Sequence, residues 1–160
     1  MQTSLKNVPA PTGDDDPREL TATARANRLE WLLHGVLEIQ SLITDTEFDL
    51  DAFMQRTVDI AESLTGAKAA VVELVNGEEM LYRCASASIR QHVGLRLRRD
   101  SSLSGLCVTQ GCVLRCDDSE LDPRVDKEAC RKVGVRSMLC TPLFQTGRVV
   151  GVLKVMGREP

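Results

Sequence analysis

Cysteines are the residues best equipped for chemistry in this 160-residue chain, at Cys84, Cys107, Cys112, Cys116, Cys130 and Cys140. Cys107, Cys112 and Cys116 are separated by four and then three residues, and Cys130 follows after thirteen. No C-x-x-C pair occurs, so the spacing argues against a structural zinc site. The four-residue gap matches one part of some iron–sulfur patterns, but Cys107 is predicted on a helix and Cys116 on a strand. As a set they read as packing thiols, with Cys140 a small hydrophobe in mid-strand. Cys130 stands apart. Arg131 and Lys132 flank it, and nearby cations lower a thiol pKa and raise its thiolate fraction. It is the first choice for a redox-sensitive position. His34 and His92, the only histidines, form no Ser/His/Asp arrangement. The acidic cluster Asp117, Asp118, Glu120, Asp122 and Asp126 lacks the glycine and terminal glutamate of an EF-hand. Arg90, Arg96, Arg98 and Arg99 read as the solvated edge of a strand. Spacing alone therefore points to no metal site and no catalytic set.

These residues need elements to position them. Residues 21–44 show helical apolar periodicity through Leu29, Leu33, Val36 and Ile43, broadened by Leu32, Ile39 and Leu42. A helix of that length suits a bundle or a dimer seam. Asp49 and Asp51 are N-cap candidates for a second helix, with Leu50, Phe53, Thr57, Val58, Ala61 and Leu64 on one face and Gly66 ending it. The period then shifts to two. Strands are predicted at 69–75 and 80–85 around Asn76-Gly77, and again at 94–99, 113–116, 137–144 and 149–156. A short helix is expected from Ser101 or Ser102 to Gly111. Another should start at Asp122-Pro123 and end at Gly134. The last strand is apolar at nearly every residue, as a central strand covered on both faces would be. This order defines an α+β domain with one mostly antiparallel sheet of five to six strands, helices packed on one face, and a long N-terminal helix.

Composition narrows the function classes. Aromatic residues are 3% and the net charge is −3, which argues against stacking platforms for single strands and against nonspecific nucleic-acid binding. No apolar run reaches membrane-spanning length or forms a signal peptide. The expected location is cytoplasmic, with thiols reduced. Residues 1–20, with three prolines and Asp14-Asp15-Asp16, are expected to form a flexible tail.

Four stretches, in this order and spacing, resemble the GAF family: DLDAFMQRTVDIAESLTGA (49–67), SLSGLCVTQGCVLRCDD (102–118), DPRVDKEACRKVGVRSMLCTPL (122–143) and GRVVGVLKVMG (147–157). The resemblance implies a GAF/PAS-like sensory domain over residues 47–160, preceded by a dimerisation or signalling segment at 21–46. It also implies a closing helix, which the chain, ending at Pro160, does not reach. Apolar surface left on the first two helices would favour a homodimer there. By the same resemblance, a ligand pocket lies between the sheet and the short elements after the third strand. It would draw on Ser104, Cys107, Cys116, Asp117, Asp118, Val125, Cys130, Ser137 and Thr141, with Tyr82 and Cys84 on the neighbouring hairpin. N–H groups near Ser102–Ser104 would suit an anion such as a cyclic phosphate.

Two specialised members of the family can be weighed residue by residue. In bilin-binding members a Cys-His pair precedes the Val-Arg…Pro stretch. Here Val125-Asp126 falls at its place, which argues against a covalently linked bilin. In free-methionine sulfoxide reductases, Cys130 falls within a residue of the nucleophile's place, but Ser104 stands where a partner thiol would be, so the resolving step lacks its thiol. The resulting expectation is a regulatory domain without enzymatic activity. It would bind a small molecule, with a cyclic nucleotide as one candidate, or read redox state, and signal through a helical dimer to an effector such as a diguanylate cyclase or histidine kinase. The alternatives are a ligand-free dimerisation scaffold and a thiol enzyme of the sulfoxide-reductase kind. The cofactor is unknown.

Overall fold

The computed structural model describes residues 22–43 and 49–160; the expected 1–20 tail lies outside them. Helix α1 (Ala22–Ile43) leads to α2 (Leu50–Thr65), and then β1 (Ala69–Asn76) and β2 (Glu79–Ala85) form a hairpin. Strand β3 (Arg96–Arg98), helix α3 (Leu103–Gln110), strand β4 (Leu114–Cys116) and helix α4 (Lys127–Val133) follow, and β5 (Ser137–Gln145) and β6 (Arg148–Gly157) close the chain. The strands form one sheet in the order β3-β2-β1-β6-β5-β4, and each pairing is antiparallel. The apolar final strand is central, as its composition predicts. The β1–β2 turn sits one residue later than Asn76-Gly77 suggests, because Asn76 still pairs with Glu79.

The long helices gather on one face of the sheet and the short ones lie on the other. On the first face Met54 and Val58 of α2 pack on Ala70, Val72 and Cys84, with Leu153 and Val155 beside them. Asp49 caps α2 by accepting from the N–H groups of Asp51 (2.9 Å) and Ala52 (3.2 Å), a cap worth about 1 kcal/mol. The face expected of α2 holds for Val58, with Phe53 and Ala61 half-buried against the same cluster, while Leu50 is exposed and Met54 and Ile60 are buried in addition. Helix α1 meets α2 at Gly35, which is buried against Ile60 and Leu64, and Trp31 is buried one turn before it. A Cβ on Gly35 would stand 3.0 Å from Leu64, so glycine permits this close approach. Leu29, Leu33 and Val36, expected to mark the packed stripe, are exposed, together with Leu32 and Leu37. Within one chain that stripe has no partner among the described residues.

The opposite face carries the main core. Val71, Met80, Tyr82, Met138, Cys140, Val152 and Met156 meet Ile89, Leu103, Cys107 and Val108. Ser102 caps α3 by accepting from the Gly105 N–H at 3.1 Å. Gly105 has no space for a side chain, since a Cβ there would lie 1.9 Å from the Arg99 carbonyl oxygen. Helix α4 is shorter than predicted. Asp126, not Asp122, is its N-cap, accepting from the Ala129 N–H at 2.9 Å. The carboxylate of Asp122 instead holds Arg124, both its backbone N–H (2.9 Å) and its guanidinium. That turn delays the helix by four residues. No residue of α4 is fully buried.

Candidate functional site

A small hollow lies between the sheet and the two short helices. Tyr82, Leu97, Met138, Lys154 and Met156 form its floor. Ser102, Leu103 and Ser104 bring the start of α3 over it, and Val125, Asp126, Ala129, Cys130 and Val133 close the side. Its free volume is about 20 Å³, room for roughly one water molecule.

Motifs and spacing give no sign of two buried charges here, Lys154 in the floor and Glu73 paired to it. Glu73 on β1 is 0% exposed and Lys154 on β6 is 4% exposed, and they form an ion pair through Glu73 Oε1. Ser104 Oγ donates to the same oxygen at 2.9 Å and accepts from Lys154 Nζ at 3.4 Å. The ammonium also stands 5.0 Å above the Tyr82 ring centroid, within cation–π range. Glu73 Oε2 is buried without a hydrogen-bond partner. Burial is the largest influence on Lys154 and would push its pKa down, but its partners together, the Glu73 carboxylate foremost, leave the pKa well above the ordinary lysine value. Burial raises the Tyr82 hydroxyl to about 12, against the pull of Lys154. The floor thus holds a charged ammonium and a neutral phenol. Desolvating two ions costs several kcal/mol each, and such a pair seldom stabilises a fold more than apolar side chains of similar volume would. Buried ionic groups bordering a cavity are candidates for a binding site.

The structure brings together Tyr82, Ser104, Val125 and Cys130 of the predicted pocket. The others lie elsewhere. Cys84 is on the α2 face, because a bulge at Arg83 shifts the pairing from Val72↔Cys84 to Glu73↔Tyr82. Thr141 pairs with Leu153 and shares its α2 side. Cys107 is buried behind α3, its thiol donating to the Cys112 carbonyl at 3.2 Å. Cys116, Asp117 and Ser137 border a separate open groove of about 1050 Å³ beside the chain end. Asp118 is tied to Arg136, at 2.7 Å.

Burial governs the thiols. It raises Cys107 and Cys84 to about 11 and Cys140 to about 12. Cys116 also reaches about 12, through burial and then the neighbouring Asp122. The expectation of a depressed Cys130 pKa is overturned. Burial raises it, and Lys154 opposes the rise only in part. The flanking Arg131 is held by Glu120 at 2.6 Å. Charge proximity in sequence was a poor guide because the guanidinium turns away to a partner carboxylate. The Glu73–Lys154 pair did leave a signal in the sequence: each residue is the single charge inside an apolar strand, AAVVELV and VVGVLKVM. Among the described residues no group of His, Cys, Asp and Glu could hold a metal ion, and no helix is long and apolar enough to cross a membrane.

A curled antiparallel sheet with long helices behind and short crossover helices above a hollow is the architecture of a regulatory and sensory domain. The GAF domain profile matches residues 48–160, and the chain belongs to the GAF family. Solved structures agree in fold. The GAF domain of a phosphoenolpyruvate-protein phosphotransferase from Coxiella burnetii shares 20% identity, with 84% of this chain and 79% of that one covered and a TM-score of 0.68. Its counterpart from Acinetobacter shares 18%, covering 83% and 78%, at 0.67. Free methionine-R-sulfoxide reductase from Neisseria meningitidis, in complex with its substrate, shares 19%, covering 88% and 78%, at 0.66. No curated protein matches significantly in sequence.

Proposed function

We propose that this domain is a cytoplasmic sensor whose small-molecule ligand enters the hollow between the sheet and helices α3 and α4, and whose occupancy is passed to an effector through a homodimer built on α1. The buried Lys154 ammonium at the edge of the hollow carries this reading, since it offers a strong, fixed donor in an otherwise apolar space. Helix α4 is the wall that would give way. It is seven residues long, none of them fully buried, and it covers the hollow with Ala129, Cys130 and Val133. The present volume favours a compact ligand, because a nucleotide needs a cavity of about 300 Å³ or more. The exposed stripe of Leu29, Leu33, Val36 and Leu37 on α1 supports pairing with a second copy. Six free cysteines suit a reducing compartment.

Thermal-shift screening against cyclic nucleotides and a panel of small metabolites tests the sensor. At least one class should raise the Tm, and Ala129→Leu, which fills the hollow from its half-exposed wall, should abolish that rise. No shift with any class leaves the ligand-free scaffold as the better account. A second reading, thiol chemistry of the reductase kind, draws on Cys130 lining the hollow and on the reductase's similar fold. Its raised pKa weighs against it. Turnover of free methionine sulfoxide that vanishes in Cys130→Ser would establish it.

A further inference from the structure

Two thiols meet where helix α3 ends. Gly111 takes the left-handed conformation, with φ at +62°, and its N–H donates to the Cys107 carbonyl at 2.9 Å. A helix closed in this way folds the chain back, and the residue after the glycine comes to lie against the residue four before it. Those two residues are Cys112 and Cys107. The contact is made, since Cys107 Sγ donates to the Cys112 carbonyl oxygen at 3.2 Å. A disulfide needs two cysteines on closely neighbouring backbone, and here one thiol already rests on the backbone of the other residue.

Their unequal exposure fixes an order of events. Cys112 is exposed, whereas Cys107 is 0% exposed beneath α3. A dissolved oxidant therefore reaches the first and not the second. Cys107 also donates to the Cys140 carbonyl at 3.6 Å, but a bridge between those two would join residues that are both wholly buried, with no thiol at which a dissolved oxidant could start. Cys84 and Cys116 are buried as well, and Cys130 is half-buried. Cys112 is thus the exposed thiol among the six, and a second thiol stands directly behind it.

We propose that Cys107 and Cys112 form a peroxide-responsive disulfide across the end of α3. In the first step the Cys112 sulfur, having given up its proton, attacks one peroxide oxygen. The O–O bond breaks, and hydroxide leaves and takes up that proton as water, so Cys112 becomes a sulfenic acid. In the second step the Cys107 sulfur attacks the Cys112 sulfur. The S–O bond breaks, and the departing hydroxide takes the Cys107 proton as a second water. Two thiols lose two electrons to one peroxide, giving one disulfide and two waters. Burial holds the Cys107 thiol at about 11, which keeps its thiolate scarce, and attack within a pair already in contact offsets that scarcity. The bond fastens the end of α3, whose first residues lie over the hollow, to the segment entering β4. It goes beyond the small-molecule reading and does not depend on it.

Peptide mapping of the full chain after equimolar hydrogen peroxide decides the matter. Trypsin cuts after Arg99 and Arg115, so Cys107 and Cys112 share the fragment 100–115, which holds no other cysteine. After alkylation in denaturant this fragment should be unalkylated and two hydrogens lighter, and dithiothreitol should restore it, while Cys84, Cys130 and Cys140 remain alkylated. Cys112→Ser should leave Cys107 alkylatable, with its oxidation slowed about tenfold or more. Cys107→Ala should stop at the sulfenic acid, trapped on Cys112 by dimedone. The Cys112→Ser change is at an exposed side chain, so the decision stands whether or not Cys107→Ala folds. Alkylation of both cysteines of the fragment after peroxide overturns the proposal. So does a bridge from Cys107 to Cys140, from Cys116 to Cys130, or from Cys112 to a second copy in its place, and so does equally fast oxidation of Cys107 in Cys112→Ser. The small-molecule reading is judged separately, by the thermal-shift panel on the reduced protein.

Discussion

On the α2 side of the sheet, Ala70, Val72 and Cys84 meet Met54 and Val58 in a wholly apolar layer. On the α3 side, the same two central strands place Glu73 and Lys154 between apolar neighbours and leave a hollow above them. Residues adjacent in sequence, Val72 and Glu73 or Leu153 and Lys154, therefore serve opposite purposes a strand's thickness apart. One layer is filled to stabilise the fold. The other gives up packing and desolvates two ions, and it is the side on which a ligand reading rests.

Substitutions on the two faces should separate these roles. Lys154→Met alone leaves Glu73 buried and uncompensated and should cost about 3–5 kcal/mol in urea unfolding. Adding Glu73→Gln should recover most of that loss. If the single variant is no less stable than the double, the pair is not acting as a buried ion pair. On the packed face, Val58→Ala should cost about 2 kcal/mol, with no second change that restores it. Asp122, beside the hollow's outer wall, has its carboxyl held down to about 2 by hydrogen bonds from Arg124. Its stabilisation is complete above the ordinary aspartate value and is lost as pH falls through about 2, so Asp122→Asn should flatten acid unfolding across that window. The expected difference is about 1 kcal/mol, because Arg124 is partly solvated. The smallest effect is on reactivity. At pH 7.5 a thiol reagent should label exposed Cys112 first and Cys130 far more slowly, with Cys84 and Cys140 protected on both faces. Fast labelling of Cys130 would restore it as a thiolate.

Periodicity found the elements well, because alternation and capping are local. Asp49, Gly66, the hairpin near Gly77 and the apolar central strand all stand close to where the sequence places them. It failed where the outcome depends on partners distant in the chain. Asp122 has the chemistry of an N-cap, yet its bonds to Arg124 take that role from it. Leu29, Leu33 and Val36 have helical spacing, but the close approach at Gly35 decides which side of α1 meets α2. In the hollow, four of the eleven expected pocket residues are brought together, and the two most consequential buried charges are not among the eleven. A lone charge in an apolar strand signals burial only once its opposite appears on a neighbouring strand, and Glu73 and Lys154 lie 81 residues apart.

The irregularity at Arg83 affects how relatives of this chain should be aligned. Because that residue is extra in the ladder, its removal would leave Tyr82 and Cys84 pointing as they do now, with the ladder simply made regular. A descendant lacking it would show a one-residue gap in the middle of a strand, where gaps are ordinarily taken as misalignment. The change would forfeit only the exposed tie between Arg83 and Asp51, so this edge of the domain can shorten without redirecting any side chain that builds the interior.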